Sequence, residues 1–294
     1  MSLLKGKKNN MHCSLKTVFR YPGGKTKIAK NIIAQMKKTI GIDFFKPMDF
    51  KFIDVFTGGG SVSLAVANEF PSAKIILNDL DEYIYSFWHV VSAGKSLDKL
   101  LYHIKYYNPP TTKIFNKLRQ EIENKIDVEE SKKGFYALFF NKTTFSGIFR
   151  AGPIGGYDQT GDYKIDCRYN GPALVKMINK ISDVFVKRKS ECYNKDFSEI
   201  IKKYGGDKNN FLYLDPPYWK QGEQLYNYGM KPEQYEEMAN LLKTCKANWI
   251  VSHDDCLEFV KLFTWADIKT IEDVPYTINS LKNNRKKELL ICKK

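Results

Sequence analysis

The chain reads as an α/β protein with a parallel sheet, interrupted once by a mainly helical insert, and three observations carry that reading. Strand-like and helix-like segments alternate from Lys25 to Val91, the alternation stops between about Ser96 and Asp183, and it resumes from Glu191 to Cys292. Such βαβα alternation implies parallel strands joined by helical crossovers, since two parallel strands cannot be linked by a tight hairpin. A chain of 294 residues is long enough for one large domain carrying an insert of this kind.

Taken in order, helical periodicity predicts a helix over Lys25 to Thr39, a strand over Lys51 to Phe56, a helix over Ser61 to Glu69, a strand over Lys74 to Asn78 and a helix over Glu82 to Val91. Beyond Ser96 the pattern becomes an amphipathic helix, then a glycine- and aromatic-rich stretch from Thr143 to Asn170, then helix again. Asn108-Pro109-Pro110-Thr111 follows a lysine- and histidine-dotted helical segment and is read as a helix-ending turn. The α/β pattern returns with strands at Glu191 to Phe197 and Phe211 to Leu214, a helix from Pro232 to Thr244, and a strand at Trp249 to Ser252. A helix over Asp254 to Phe263 and strands at Ile268 to Asp273 and Glu288 to Cys292 complete it. The expected division is an α/β domain of residues 1–95 and 184–294 around an inserted, mainly helical domain, 96–183.

Composition narrows the partners. The net charge is +14, and ten Lys or Arg precede the first acid, Asp43; a second basic run spans Lys282 to Lys287, and basic and aromatic residues crowd Tyr136 to Arg188. Such a chain suits a polyanion, bound through phosphates without sequence choice; lysine used for solubility would give the same excess. Six scattered cysteines without a CxxC pair read as reduced thiols, and four histidines without ligand spacing offer no metal site. No apolar run reaches the roughly 20 residues a membrane span needs, so the expectation is a soluble cytoplasmic protein.

Four elements carry chemistry. Asp215-Pro216-Pro217-Tyr218 follows the buried-strand run Phe211 to Leu214, and two prolines force the chain out of the ladder there. A carboxylate and the Pro216 carbonyl can accept both N–H bonds of an exocyclic amine, with Tyr218 against the ring; an ordinary strand-ending turn would use the same residues. Asp54-Val55-Phe56-Thr57-Gly58-Gly59-Gly60-Ser61 places glycines between a strand and a helix, where a nucleoside-like ligand can approach the backbone. It lacks the Lys-Ser or Lys-Thr of a phosphate loop and the spacing of a dinucleotide fingerprint. Asp79, about 20 residues beyond those glycines, stands where open α/β sheets place a ribose-binding acid, whereas Asp81 sits as a helix cap. Ahead of the first helix, Arg20-Tyr21-Pro22-Gly23-Gly24-Lys25 brings an ammonium and a ring to one turn, fitting either an amino-acid carboxylate or a simple N-terminal turn.

In that order, these motifs make the chain resemble the Dam-like DNA adenine-N6 methyltransferases. The resemblance runs through Arg20 to Lys25, Phe56-x-Gly58-x-Gly60, Asn78-Asp79, Asn141-Lys142-x-x-Phe145-x-Gly147-x-x-Arg150, Asp196-Phe197, Asp215 to Tyr218, and Asn284 to Leu290. It implies a Rossmann-like sheet, S-adenosylmethionine as methyl donor, and target recognition between the cofactor and catalytic motifs. By motif, Tyr21, Lys25, Phe56, Gly58, Gly60, Asp79, Asp196, Phe197 and Asp215 would bind the cofactor. Asp215, Pro216, Pro217 and Tyr218 would form the catalytic clamp on an adenine flipped from duplex DNA. Asn141, Lys142, Arg150, Tyr163 and Arg168 would meet DNA, with Arg150 reading a guanine or holding a phosphate, and Asn141 otherwise bracing the insert.

The recognition region departs from the family pattern after Arg150, running Ala151-Gly152-Pro153-Ile154-Gly155-Gly156-Tyr157, so the resemblance does not carry a GATC target. Its implied partners are double-stranded DNA and a cognate restriction endonuclease, for a bacterial or phage-encoded enzyme expected to be monomeric. An RNA or cytosine-N4 amino methyltransferase and a noncatalytic DNA-binding relative are the alternatives, since such clamps also serve other exocyclic amines.

Overall fold

A computed structural model describes residues 14–20, 24–41, 50–219, 229–275 and 285–294, with the backbone alone for 273–275, 285 and 286. Seven strands, β1 (Lys51–Asp54), β2 (Lys74–Asn78), β3 (Glu191–Tyr193), β4 (Asn210–Leu214), β5 (Asn248–Asp254), β6 (Asp267–Pro275) and β7 (Arg285–Cys292), form one sheet in the order β3-β2-β1-β4-β5-β7-β6. The first five run parallel; β7 inserts antiparallel between β5 and β6. This is the expected Rossmann-like methyltransferase sheet. The chain moves outward from β1 through β2 to β3, then returns to lay β4 on the other side of β1. A crevice therefore opens at the carboxyl ends of β1 and β4, where the order reverses.

Strand alternation divides the core in two. Phe52, Ile75, Leu77, Phe211 and Tyr213 face one side, while Ile53, Val55, Ile76, Leu212 and Leu214 face the other. The first face is covered by α1 (Ala29–Ile40), α2 (Ser61–Glu69) and α3 (Glu82–Ala93), the second by α8 (Phe197–Tyr204), α9 (Pro232–Thr244) and α10 (Leu257–Lys261). Most helical ranges match their periodicity. The final helix is shorter than the expected Asp254 to Phe263, and α8 was not expected. Its signals are the cap Asp196, whose side chain accepts from Ser198 N, and apolar Ile200, Ile201 and Tyr204 on one face.

Between α3 and β3 the chain forms α4 (Leu97–Tyr106), α5 (Thr112–Glu123), α6 (Glu130–Thr143) and α7 (Gly171–Lys187), with an irregular stretch before α7. Asn108 to Thr111 is the expected helix-ending turn, and Thr111 caps α5. Asp183 lies inside α7, which runs on to Lys187. Phe135, Tyr136, Leu138, Phe139 and Phe140 of α6 are buried around the whole helix, and they join the same core as α3 and the first sheet face. A helix apolar on all sides must be enclosed by its neighbours. No described helix is long and apolar enough to cross a membrane.

Close packing of α6 on α3 depends on Gly134, since a β-carbon there would stand 2.8 Å from Phe87 Cα. Gly134→Ala is expected to lower unfolding stability by about 1–3 kcal/mol, read as a lower urea midpoint with an unchanged denaturant slope.

Candidate active site

The crevice at the sheet reversal holds a cavity of about 370 Å³. Lys25, Phe56, Gly58, Asp79, Asp196, Phe197, Asp215 and Pro217 line it, bringing together motifs that lie nearly 200 residues apart. Gly60, Pro216 and Tyr218 do not line it, and Tyr21 lies outside the described residues.

The glycine turn is held from below. Gly60 starts α2 with φ +66°, and a β-carbon there would lie 2.3 Å from the Trp88 ring. Trp88 Nε1 donates to Gly58 O at 2.9 Å, so the indole occupies the space beneath the turn. Its place is thus packing, not contact with the cavity. Gly58 N donates to Asp79 Oδ2 at 2.7 Å, and Asp81 N donates to Asp79 Oδ1 at 2.9 Å, which fixes the acid at the end of β2. Asp81 caps α3 through Tyr83 N and Ile84 N, as its position predicted. Burial, together with the charge of Asp81, raises the Asp79 carboxyl to about 7.

Asp54 is a site residue that the motif reading passed over. It ends β1, is buried, lines the cavity, and accepts from Ser63 Oγ with Oδ2, while Oδ1 has no hydrogen-bond partner among the described residues. Burial raises its carboxyl to about 7, against the pull of the Ser63 hydrogen bond. The available signal was an acid at a strand end immediately before a glycine turn. Opposite it, Phe56 and Phe197 stack at 6.0 Å and form one apolar wall.

The turn after β4 is pinned on both sides of its prolines. Tyr235 Oη donates to Pro217 O at 2.7 Å, and Trp219 N donates to His253 Nε2 at 3.3 Å, with the His253 ring stacked on Phe259 at 3.7 Å. Asp215 Oδ1 accepts from Ser252 Oγ at 3.0 Å and lies 2.7 Å from Lys25 Nζ. Its Oδ2 and the Pro216 carbonyl accept no hydrogen bond from any described residue. Two acceptors are therefore left open on a rigid turn.

Two residues depart from their expected parts. Tyr218 is buried, with Oη 3.0 Å from Lys25 Nζ and its ring edge-on to His253, so it shows no stacking face to the cavity. Lys25 is not an open cation for a carboxylate ligand; it is 4% exposed and sits between Asp215 and Glu288 of β7, 3.2 Å from Glu288 Oε1.

The DNA candidates divide likewise. Asn141 is buried and braces rather than reaching out: its side chain accepts from Arg20 N at 2.8 Å and donates to Arg20 O at 2.7 Å. Lys142 is half-buried, and burial with the charges of Arg20 and Arg168 lowers its ammonium to about 8. Arg20 is on the cavity lining, and Arg168 and Tyr163 are exposed. Arg150 is exposed on a second groove with Asp81, Tyr83, Arg119 and Tyr157. Arg119 Nη2 donates to Phe149 O at 2.7 Å and to Ala151 O at 3.4 Å, holding the backbone on either side of Arg150.

Sheet order and the chemistry of its reversal point together define a Rossmann-like methyltransferase. The model of the D12 class N6 adenine-specific DNA methyltransferases matches residues 21–276, and the chain belongs to that family. It is a site-specific enzyme that methylates N6 of adenine in DNA. The chain is 26% identical over 216 residues to the Type II methyltransferase M.MjaIII of Methanocaldococcus jannaschii, covering 69% of each. It is 26% identical over 237 residues to the Type II methyltransferase M.CviBI of Paramecium bursaria Chlorella virus NC1A, covering 79% of this chain and 80% of the relative. Among solved structures, the methyltransferase yhhF of Escherichia coli aligns at 12% identity and TM-score 0.35, covering 92% of this chain and 87% of that one. Precorrin-6y C5,15-methyltransferase of Geobacter metallireducens aligns at 8% and 0.36, covering 90% and 88%.

Raised carboxyls make ligand-free stability depend on pH. Asp54 and Asp79 bind protons more tightly folded than unfolded, so their contribution is full below about 4 and is lost as pH rises through about 7. Asp54→Asn, which keeps an acceptor for Ser63, should raise stability at pH 8 by about 1–3 kcal/mol and much less at pH 4, as read by chemical denaturation of the ligand-free protein.

Proposed function

We propose that the cavity binds S-adenosylmethionine and that Asp215 and the Pro216 carbonyl grip the N6 amine of an adenine extruded from duplex DNA. The observation that carries this reading is the pair of open acceptors on the pinned turn after β4. An exocyclic amine has two N–H donors, and two fixed acceptors orient its nitrogen for attack. The residues present suit the cofactor. The cavity volume falls in the range of about 300–1,000 Å³ usual for small-molecule sites, Phe56 and Phe197 supply an apolar wall for a purine, and Asp79 supplies an acid for a ribose. The unpartnered Asp54 Oδ1 suits an ammonium donor.

S-adenosylmethionine supplies an activated sulfonium methyl, and the chain supplies position. Asp215 Oδ2 accepts one N6 hydrogen, and the Pro216 carbonyl accepts the other. Lys25 and Ser252 hold Asp215 Oδ1, so the carboxylate cannot rotate away. Tyr218 anchors the turn through Lys25. Once the nitrogen carries the methyl group its proton is acidic, and Asp215 is the adjacent acceptor. Gly60 supports the cofactor turn from outside the cavity.

We assign DNA contact to the segment 96–183 and its flanks, with residues 1–95 and 184–294 forming the catalytic part. Arg150 reads a base or grips a phosphate from the second groove, Tyr163 and Arg168 meet the duplex, and Lys142 adds charge beside Arg20. The relatives are named Type II methyltransferases, which supports pairing with a restriction endonuclease of the same target.

Expression in a host free of adenine methylation, followed by long-read sequencing, should reveal N6-methyladenine in one short motif. Asp215→Ala should abolish it; modified adenine persisting in that variant would overturn the clamp. Phosphate contact favours the charged form of Lys142, whose ammonium is held to about 8 in the free protein. DNA affinity at constant salt should therefore fall as pH rises from 7 to about 9, and Lys142→Met should flatten that slope in fluorescence anisotropy.

A further inference from the structure

A further buried carboxylate reaches Lys25 from β7, outside every residue assigned above. Glu288 is 1% exposed and shares its strand face with Leu290 and Cys292, which lie in the apolar core. A carboxylate in such surroundings is costly unless paired. Its partner is the Lys25 ammonium, 3.2 Å away, the same group that lies 2.7 Å from Asp215 Oδ1 and 3.0 Å from Tyr218 Oη.

We propose that Glu288 is a positioning residue for methyl transfer, sharing the charge of Lys25 so that Asp215 keeps Oδ2 as a strong, open acceptor for the substrate amine. This rests on the reading of Asp215 as that acceptor. Two carboxylates and a hydroxyl, Asp215 after β4, Glu288 on β7 and Tyr218, stand around this ammonium, Glu288 through an ion-pair contact at 3.2 Å rather than a hydrogen bond. With Glu288 in place, Lys25, Asp215 and Glu288 together carry one net negative charge. Without it, the cation and Asp215 form a one-to-one pair in a low-dielectric interior, where each charge acts strongly on the other. The ammonium is then free to bridge both carboxylate oxygens, and Asp215 becomes a weaker acceptor. Ser252 and Tyr213 cannot substitute, because Ser252 Oγ donates to Oδ1, the Tyr213 hydroxyl reaches only Ser252 Oγ, and neither carries a charge. Asp54, which acts on Asp215 through its charge, is on β1 and is engaged by Ser63.

The test compares Glu288→Gln, Lys25→Met, their double variant and Asp215→Asn. Steady-state kcat and KM for a methylatable duplex are measured beside calorimetric binding of S-adenosylmethionine and thermal unfolding. E288Q should fold, bind the cofactor within about twofold of the parent protein and lose kcat by about tenfold or more. In the K25M background the same change should cost less than about twofold, because the interaction through which it acts is already gone. An unchanged kcat in E288Q overturns the proposal, as does a loss that repeats in full on top of K25M. A weakened cofactor affinity that accounts for the whole loss overturns it too. Full activity in D215N would remove the acceptor reading and this inference with it, whereas an inactive D215N beside an unaffected E288Q removes only the role of Glu288. Should E288Q not fold, Glu288→Asp decides: the charge is kept but withdrawn by one methylene, so a kcat loss with normal cofactor binding supports the proposal and an unchanged kcat overturns it.

Discussion

An ammonium with almost no access to water joins three distant parts of this chain. Lys25 precedes the first helix, Asp215 follows β4 and Glu288 lies on β7, yet both carboxylates stand within 3.2 Å of the Lys25 ammonium. Removing one partner from such a buried group leaves a charge uncompensated, typically at about 3–5 kcal/mol. The interaction therefore constrains the N-terminal segment to close over the sheet reversal. It also fixes one oxygen of Asp215, which leaves the other with a defined direction. The rest of the turn after β4 is built around that restraint: Tyr218 buries its hydroxyl on the same ammonium, while Tyr235 and His253 hold the backbone on either side of it.

Charges of opposite sign collect in the cavity and beside it. On the β1 and β2 side, Asp54 and Asp79 are buried acids raised to about 7, held by Ser63 and by backbone N–H groups. On the side of the insert, Arg20, Lys142 and Arg168 concentrate positive charge, and Lys142 is lowered to about 8. Opposite charges set this close together give the region a strong local field. Asn141 couples the two regions, because its amide holds Arg20 by both backbone groups and also donates to Gly147 O. The insert is equally tied through α6, whose aromatic residues complete the core over the first sheet face.

Much of this was legible in the sequence where local pattern and function coincide. Ser61 to Glu69, Lys74 to Asn78 and Pro232 to Thr244 were bounded by periodicity alone, because their caps, turns and apolar spacing agree. The motif residues Lys25, Phe56, Gly58, Asp79, Asp196, Phe197, Asp215 and Pro217 converge on one cavity, as parallel strands require of residues at their carboxyl ends. The short helix α8 escaped because eight residues give little periodicity, although Asp196 marked its start. Lys142 and Arg150 proved to stand in different settings, one half-buried beside Arg20 and the other exposed on a separate groove, which linear proximity does not distinguish.

What the sequence by itself determined is the alternation that builds a parallel sheet, the glycine and proline turns that end its strands, and the chemical kinds of side chain delivered there. Each depends on neighbours within one turn or strand, so each is written locally. Only the tertiary structure decided where those side chains sit: that Lys25 answers two acids, Glu288 of β7 among them, that Tyr218 turns inward, and that Asp54 keeps an oxygen without a partner among the described residues. Charge partners and burial arise between segments far apart in the chain, and the same motif letters are compatible with either an open or a neutralised group until packing brings the counter-charge.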